Sequence, residues 1–455
     1  MAPGPVISEL GDAFYDVVAP ARFPEHRLRF RNDRAAASIG LDGLNDTDWV
    51  RHFGQFEPLP GNLSAPLALR YHGHQFRVYN PDIGDGRGFL FAQLRDDRDR
   101  LLDLGTKGSG QTPYSRFGDG RLTLKGGVRE VLATEMLEAL GVETSKTFSL
   151  IETGEALDRG DEPSPTRSAV LVRLSHSHIR YGMFQRLAYL KQPENILRLT
   201  DYVLRHYFPD ADAGDPVAAL MDAAVDGAAR QAAGYMAAGF VHGVLNTDNI
   251  NITGESFDYG PYRFAPTYDL SFTAAYFDRQ GLYAFGRQAE AFHWNLQQLA
   301  LSLREIASPD SVIPAFASFP ARFETALRHA ILQRLGVVPQ RQDSDTVLLA
   351  AMEAALIETG MPLDRFWFDW RGGQLRDSPA AATYRLPVFA PFAEAVATYR
   401  PTSALAHPYW SDATPCSLLI GEIEAIWTAI AEQDDWEPFH AKVSAIRRMG
   451  DALKI

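Results

Sequence analysis

Cysteine is almost missing from this sequence, with Cys416 the one thiol in 455 residues. No intrachain disulfide can form, and nothing points to an oxidising compartment. Long apolar runs are missing as well. No stretch approaches the roughly 18 residues of a membrane span, and the opening residues, MAPGPVISELGDAFYDVV, have neither the basic patch nor the apolar core of a secretory leader. The expectation is a cytoplasmic protein with no membrane partner. Basic charge is in deficit too: 44 Lys and Arg face 57 Asp and Glu, a net charge of −13. This argues against nucleic-acid binding driven by bulk electrostatics, so nucleic acid is not an expected partner, although a local basic site is still compatible.

What is present is the composition of an ordinary folded chain, 46% apolar and 22% charged. Its length exceeds what one hydrophobic core supports, which predicts two or more lobes. Residues 1–60 read as an N-terminal extension packing on the core, irregular at Pro20, Pro24, Pro58 and Pro60, with a helix-like LRFRNDRAAASIGL at 28–41. Residues 61–165 are strand-rich: GFLFAQLRD (88–96), RLLDLGTK (100–107) and KTFSLIET (146–153), with AVLVRLS (169–175) following. One helix sits among them, GGVREVLATEMLEAL (126–140), with Val128, Val131, Leu132, Met136 and Leu140 on one face and Gly141 as its stop. GEALDRGDEPSPTR (154–167) reads as an exposed loop. Residues 166–455 are expected as a helical lobe, from the periodicity of 194–208, 216–240, 320–335 and 344–360.

Chemistry-bearing residues appear in a definite order. GDGRG (84–88) precedes a strand and suits a turn that lets backbone N–H groups approach a phosphate, with Arg87 adding a charged fork, although a plain turn would contain the same residues. Lys107 ends a strand, and Glu130 lies 23 residues later on the helix face opposite the apolar stripe. That is the order of a kinase lysine and the glutamate that orients it. Between them GQTPYSRFGDGR (110–121) supplies Asp119 and Gly120 in either a second nucleotide loop or a hairpin turn. Arg173 and Arg180 in LVRLSHSHIRYG could grip phosphates or simply be solvated. His72 and His74 in YHGHQF read as core or turn residues, not as metal ligands.

The most specific signal follows the end of the 216–240 helix. HGVLNTDNINI offers His242, Asp248 and Asn249, and Asp258 follows in DYG. Kinases place a catalytic Asp two residues after the His, an Asn five residues later, and a metal-binding Asp before a Gly. Val244 occupies the catalytic position here, so the usual proton acceptor is missing. Asn249 and Asp258 retain the two metal positions, which is enough protein ligation for Mg²⁺ that keeps water and substrate phosphates in its shell. The expected fold is therefore α+β, a protein-kinase-like two-lobed fold with a small strand-rich N-lobe, one key helix and a large helical C-lobe.

YHGHQF, GDGRG, KGSGQTPYSRFGDGR, RLSHSHIRYG, GFVHGVLNTDNINI, DYGPY and LYAFGRQAEAFHWNLQQLA together resemble the SelO (YdiU) family of protein adenylyltransferases, which have a pseudokinase fold. The resemblance runs over roughly residues 10–305. It implies ATP inverted relative to a kinase, and AMP transferred to Ser, Thr or Tyr hydroxyls of protein substrates with release of pyrophosphate, under Mg²⁺ or Mn²⁺. It also implies nucleotide contacts at Gly84, Gly86, Arg87, Lys107, Asp119, Gly120, Arg173, Arg180 and Asp258. Asp248 matches the catalytic base, Asn249 and Asp258 the metal ligands, and Glu130 the support of Lys107; self-modification is a further implied outcome. Many relatives carry a cysteine or selenocysteine near the C-terminus where this sequence reads RRMGDALKI, so redox control through a terminal thiol is not among the expectations the resemblance supports. Residues after about 380 are expected to diverge from the family. The alternatives are a catalytically silent ATP-binding scaffold, disfavoured by Lys107, Asn249 and Asp258, and γ-phosphoryl transfer, disfavoured by Val244.

Overall fold

Successive side chains of LLDLGTK must point to opposite faces of a strand. In the computed structural model, which describes residues 5–160, 162–211, 214–403 and 405–454, this alternation divides the strand's chemistry. Leu102 and Leu104 join an aromatic core with Trp49, Phe53, Phe91 and Phe148, leaving Asp103, Gly105 and Lys107 for the other face. Residues 1–4 of the expected extension, 161 of the expected loop, and 212, 213, 404 and 455 of the expected helical lobe lie outside the described residues.

The strands of the N-terminal half are β1 (Tyr15–Val17), β2 (Arg27–Arg31), β3 (Leu67–Leu69), β4 (Gly73–Gln75), β5 (Val78–Asn80), β6 (Leu90–Arg95), β7 (Leu101–Lys107), β8 (Leu122–Thr123), β9 (Lys146–Leu157) and β10 (Thr166–Ser175). Among the described residues, seven of them form an antiparallel sheet in the order β1-β3-β6-β7-β10-β9-β2; β8 pairs with β10, and β4 with β5 forms a separate hairpin. Both edge strands of that order come from residues 1–60. The helix expected over 28–41 is corrected by β2 and the short helix α1 (Asp33–Ser38), which Asn32 caps by accepting from the Ala35 N–H. Leu28 and Phe30 alternate with arginines, a strand period that an overall count of apolar residues hides. The exposed loop expected over 154–167 is shortened at both ends, because pairing of β9 with β10 continues to Leu157 and Thr166.

One face of the sheet is covered by α1 and α2 (Asp46–Phe53), where Trp49 stacks on Phe148 at 4.7 Å. The other is covered by α3 (Leu124–Ala139), opened by Thr123, whose hydroxyl accepts from the Gly126 N–H. Val128, Val131, Leu132 and Met136 are buried as the periodicity predicts. The opposite face of α3 is also covered, since Glu130 and Glu135 are both buried and the C-terminal helix Glu437–Lys454 packs against it.

From residue 181 onward helices dominate, beginning with α4 (Tyr181–Tyr189), α5 (Pro193–Tyr207) and α6 (Pro216–Ala238). Asp215 caps α6 by accepting from Val217 and Ala218 N–H groups, with Pro216 in the first turn. Gly239, at φ 66°, ends it in the left-handed conformation that side-chain-bearing residues avoid, and turns the chain into Phe240–Val241 and then His242. Among the described residues no helix is long and apolar enough to cross a membrane.

Candidate nucleotide site

The C-terminal end of β7, the turn before β6, the end of β10 and the loop after α6 converge on one cleft of about 690 Å³. Its walls include Gly84, Gly86, Arg87, Lys107, Asp119, Gly120, Arg173, Arg180, Asp248 and Asp258. Seven Lys or Arg against five Asp side chains line it, so this acidic chain keeps a locally basic cavity. Volume and lining fit a nucleotide-sized anionic ligand.

Lys107 is buried at the end of β7, where Nζ donates to Glu130 Oε1 at 2.5 Å and also to Asp258 Oδ1. The expected lysine–glutamate pair is thus formed. Asp258 sits at φ 64°, a strained conformation for a non-glycine residue that Asp tolerates better than most. Burial works against its charge, but Lys107, Arg173, Arg180 and Arg87 hold the carboxyl well below the usual carboxylate range. It is an anion.

Arg180 lies between the rings of Tyr71 and Phe257, at 4.5 and 4.9 Å, and donates to the Asp248 backbone carbonyl at 2.9 Å. Arg173 lies over Phe257 at 5.0 Å, with Nη1 3.9 Å from Asp258 Oδ1. Asp248 occupies a short 3₁₀ turn, Thr247–Asn249. Burial pushes its carboxyl up to about 6, against the lowering influence of Arg180. Three buried charged atoms here lack any hydrogen-bond partner: Arg173 Nη1, Arg180 Nε and Asp248 Oδ1. Buried charges are normally satisfied; several unsatisfied ones around one cavity are what a site built for a charged ligand would show.

The two glycine turns pack on each other. A Cβ on Gly84 would stand 2.5 Å from the Tyr114 ring, and the Ser115 hydroxyl donates to the Gly86 carbonyl at 2.5 Å. Gly120 adopts φ 69° against the Gly110 carbonyl. Asp119, beside it, is exposed and held by Arg159 at 2.8 Å, and although partial desolvation opposes it, that contact lowers its carboxyl. Asn249 lies outside the cleft lining, half-buried; its amide nitrogen donates to the Val244 carbonyl at 3.0 Å, which leaves Oδ1 as the end suited to a cation. Among the described residues no cluster of three or more His, Cys, Asp and Glu is arranged to hold a metal by itself. Asp258 and Asn249 Oδ1 are nevertheless hard oxygen donors of the kind that suits a divalent cation taking its remaining ligands from phosphate and water.

Several cleft residues escaped the sequence reading. YHGHQF was weighed for its histidines, yet His72 is bonded to the Tyr79 hydroxyl and His74 to Gln185. What this motif brings to the cleft is Tyr71 and Gln75, and behind them Gly73, where a Cβ would lie 2.9 Å from Asp248 Oδ1. The β4–β5 hairpin is fastened to the loop by His74 N–H to Thr247 Oγ1 at 2.7 Å and Phe76 N–H to Asn246 Oδ1 at 3.0 Å. Asp85, Tyr114 and His178 also line the cleft. The only available signal was their position inside motifs already singled out.

The family model described as protein adenylyltransferase SelO matches residues 3–381. A protein nucleotidyltransferase YdiU of Synechocystis sp. is 44% identical over 97% of this chain and 97% of its own length. That of Gloeobacter violaceus is 43% identical over 98% of this chain and 94% of its own, and that of Vibrio cholerae is 38% identical over 78% and 72%. The family model's match stops at residue 381, close to where divergence is expected, while the alignments with the first two relatives span 97% and 98% of the chain.

Proposed function

Because the chain belongs to the protein adenylyltransferase SelO family and is a protein nucleotidyltransferase, we propose that it transfers AMP from ATP to Ser, Thr or Tyr hydroxyls of proteins, releasing pyrophosphate. The observation that carries this reading is that Asp248, whose buried Oδ1 has no hydrogen-bond partner, lines the same cleft as Lys107 and Asp258. In this reading the strand-rich and helical halves are the lobes of a protein-kinase-like fold, and ATP lies between them with its α-phosphate toward the acceptor.

The acceptor oxygen forms a bond to the α-phosphorus while its proton passes to the Asp248 carboxylate. The bridging bond between the α-phosphorus and the β-phosphate oxygen breaks, and pyrophosphate leaves. A carboxylate raised to about 6 is a stronger proton acceptor than an ordinary one and is still mostly ionised at neutral pH. Lys107, Arg87, Arg173 and Arg180 neutralise charge on the departing pyrophosphate, and Glu130 keeps Lys107 aimed at it. Mg²⁺ or Mn²⁺, held by Asn249 and Asp258 together with substrate phosphates, adds Lewis-acid stabilisation when bound. Gly84, Gly86, Asp119 and Gly120 shape the loops over the nucleotide. The chain's own hydroxyls are among the acceptors this chemistry admits.

The test uses ATP labelled at either the α- or the γ-phosphate, with Mg²⁺ or Mn²⁺ and candidate acceptor proteins. Label retained on protein from the α position alone is the expected result. Label from the γ position would replace this reading with kinase chemistry, and ATP binding with no transfer would replace it with a silent scaffold.

A further inference from the structure

Resting on the ATP-cleft reading above, we infer that His178 is a positioning residue, a wedge that stops Asp103 from capturing Arg173 and so keeps that guanidinium free for the nucleotide's phosphates. The pairing register of β7 and β10 sets Arg173 opposite Gly105 and Ser175 opposite Asp103. Arg173 and Asp103 therefore share one face of the sheet as diagonal neighbours, a separation that a long side chain spans easily. Asp103 is 1% exposed and Arg173 5%. A buried carboxylate and a buried guanidinium so placed would ordinarily pair. Here they do not.

The space between them holds the His178 ring. It lies directly over Gly105, where a Cβ would come within 1.9 Å of Nε2. The His178 backbone N–H donates to Asp103 Oδ2 at 2.9 Å, and the ring's Nδ1 stands 3.5 Å from the same oxygen. On the opposite side Arg173 Nε lies 3.4 Å from His178 Nε2. This arrangement needs the neutral ring with its proton on Nδ1, toward Asp103, and the Nε2 lone pair toward Arg173. Burial lowers the ring's proton affinity, in agreement with that geometry. The result is that Arg173 Nε is steered by a neutral acceptor, while Nη1, 3.9 Å from Asp258 Oδ1, makes no hydrogen bond and is not captured by Asp103.

Gly105 and His178 form one device: the first lacks a side chain so that the second can fill the space. Removing the ring lets Arg173 fold back onto Asp103, which withdraws a phosphate ligand from the cleft. The experiment compares wild type, His178→Ala and the double variant His178→Ala/Asp103→Asn in equilibrium ATP binding with Mn²⁺ and in steady-state transfer, with thermal unfolding as a check on folding. His178→Ala is expected to weaken ATP binding about tenfold or more, mainly as a rise in KM for ATP. Adding Asp103→Asn is expected to restore most of that affinity, because the capturing carboxylate is gone. A purely structural role for His178 gives the opposite sign, since the second substitution removes another buried interaction. Unchanged affinity in His178→Ala, or a double variant no better than the single, overturns the inference and leaves the function intact. Failure of the wild-type chain to bind ATP overturns both. Where His178→Ala does not fold, Gly105→Ala, with and without Asp103→Asn, poses the same question by displacing the ring, and the same two outcomes decide it.

Discussion

Two glutamates on helix α3 meet opposite surroundings. Glu130 bonds Lys107, which is shared with Asp258, in a cleft where Arg173 Nη1, Arg180 Nε and Asp248 Oδ1 have no partners. Glu135, on the face toward the C-terminal helix, is gripped at both oxygens by Arg447, at 2.7 and 2.6 Å. Glu152 on β9 is similarly enclosed by Arg29 and Arg167, which both reach Asp434. Charges of the second kind fasten elements together and are fully matched. Those of the first are buried without complete partners, at a standing cost in stability. Arg334 Nε and Arg376 Nε in the helical half also lack hydrogen-bond partners, so what sets the reacting region apart is that its unmatched charges gather around one nucleotide-sized cleft.

The largest effect that would sharpen this contrast is expected at Asp258. Asp258→Asn keeps a residue that tolerates the left-handed backbone but removes the anion. Transfer of label from α-labelled ATP should fall by on the order of a thousandfold, with thermal unfolding little changed. Full activity would show that the metal assignment is wrong. Next comes Asp248→Asn, expected to lower kcat by about a hundredfold or more while ATP still binds. Loss of binding with kcat retained would move the proton acceptor elsewhere.

A smaller effect, on the other side of the comparison, is expected from Arg447→Met. It leaves Glu135 buried and unpaired, which should lower unfolding free energy by about 2 kcal/mol. Denaturant titration checks this, and transfer activity measured well below the melting point should stay within a few fold of wild type. If activity collapses while stability holds, the C-terminal helix belongs with the reacting region and the division fails. The smallest effect is expected at Cys416. Burial pushes its thiol up to about 11, so little reactive thiolate forms near neutral pH. Cys416→Ala should match wild type in activity before and after mild peroxide; a peroxide response that needs Cys416 would reinstate redox control.

Much of the scaffold was legible because its periods are local. The α3 stripe of Val128, Val131, Leu132 and Met136, the Gly239 stop and the strands around Lys107 all follow from spacing along the chain. Legibility failed where partners lie far apart in sequence. The 28–41 segment contains enough apolar and helix-forming residues to suggest a helix, but β2 is selected by its pairing with β9, more than a hundred residues away. Tyr71, Gly73 and Gln75 were in view, yet their relation to Asp248 depends on how the β4–β5 hairpin docks on the 247–249 turn.

By itself the sequence determined the family, the order of Lys107, Glu130, Asp248, Asn249 and Asp258, and the loss of a carboxylate at Val244, because residue identity and spacing carry those facts directly. Only the tertiary structure decided which of those charges are matched. It placed Lys107 on both Glu130 and Asp258, left Asp248 Oδ1 and Arg173 Nη1 without partners, and put His178 over Gly105. The reason is physical: a charge's chemistry is set by the groups within a few ångströms, and folding brings those groups from distant parts of the chain.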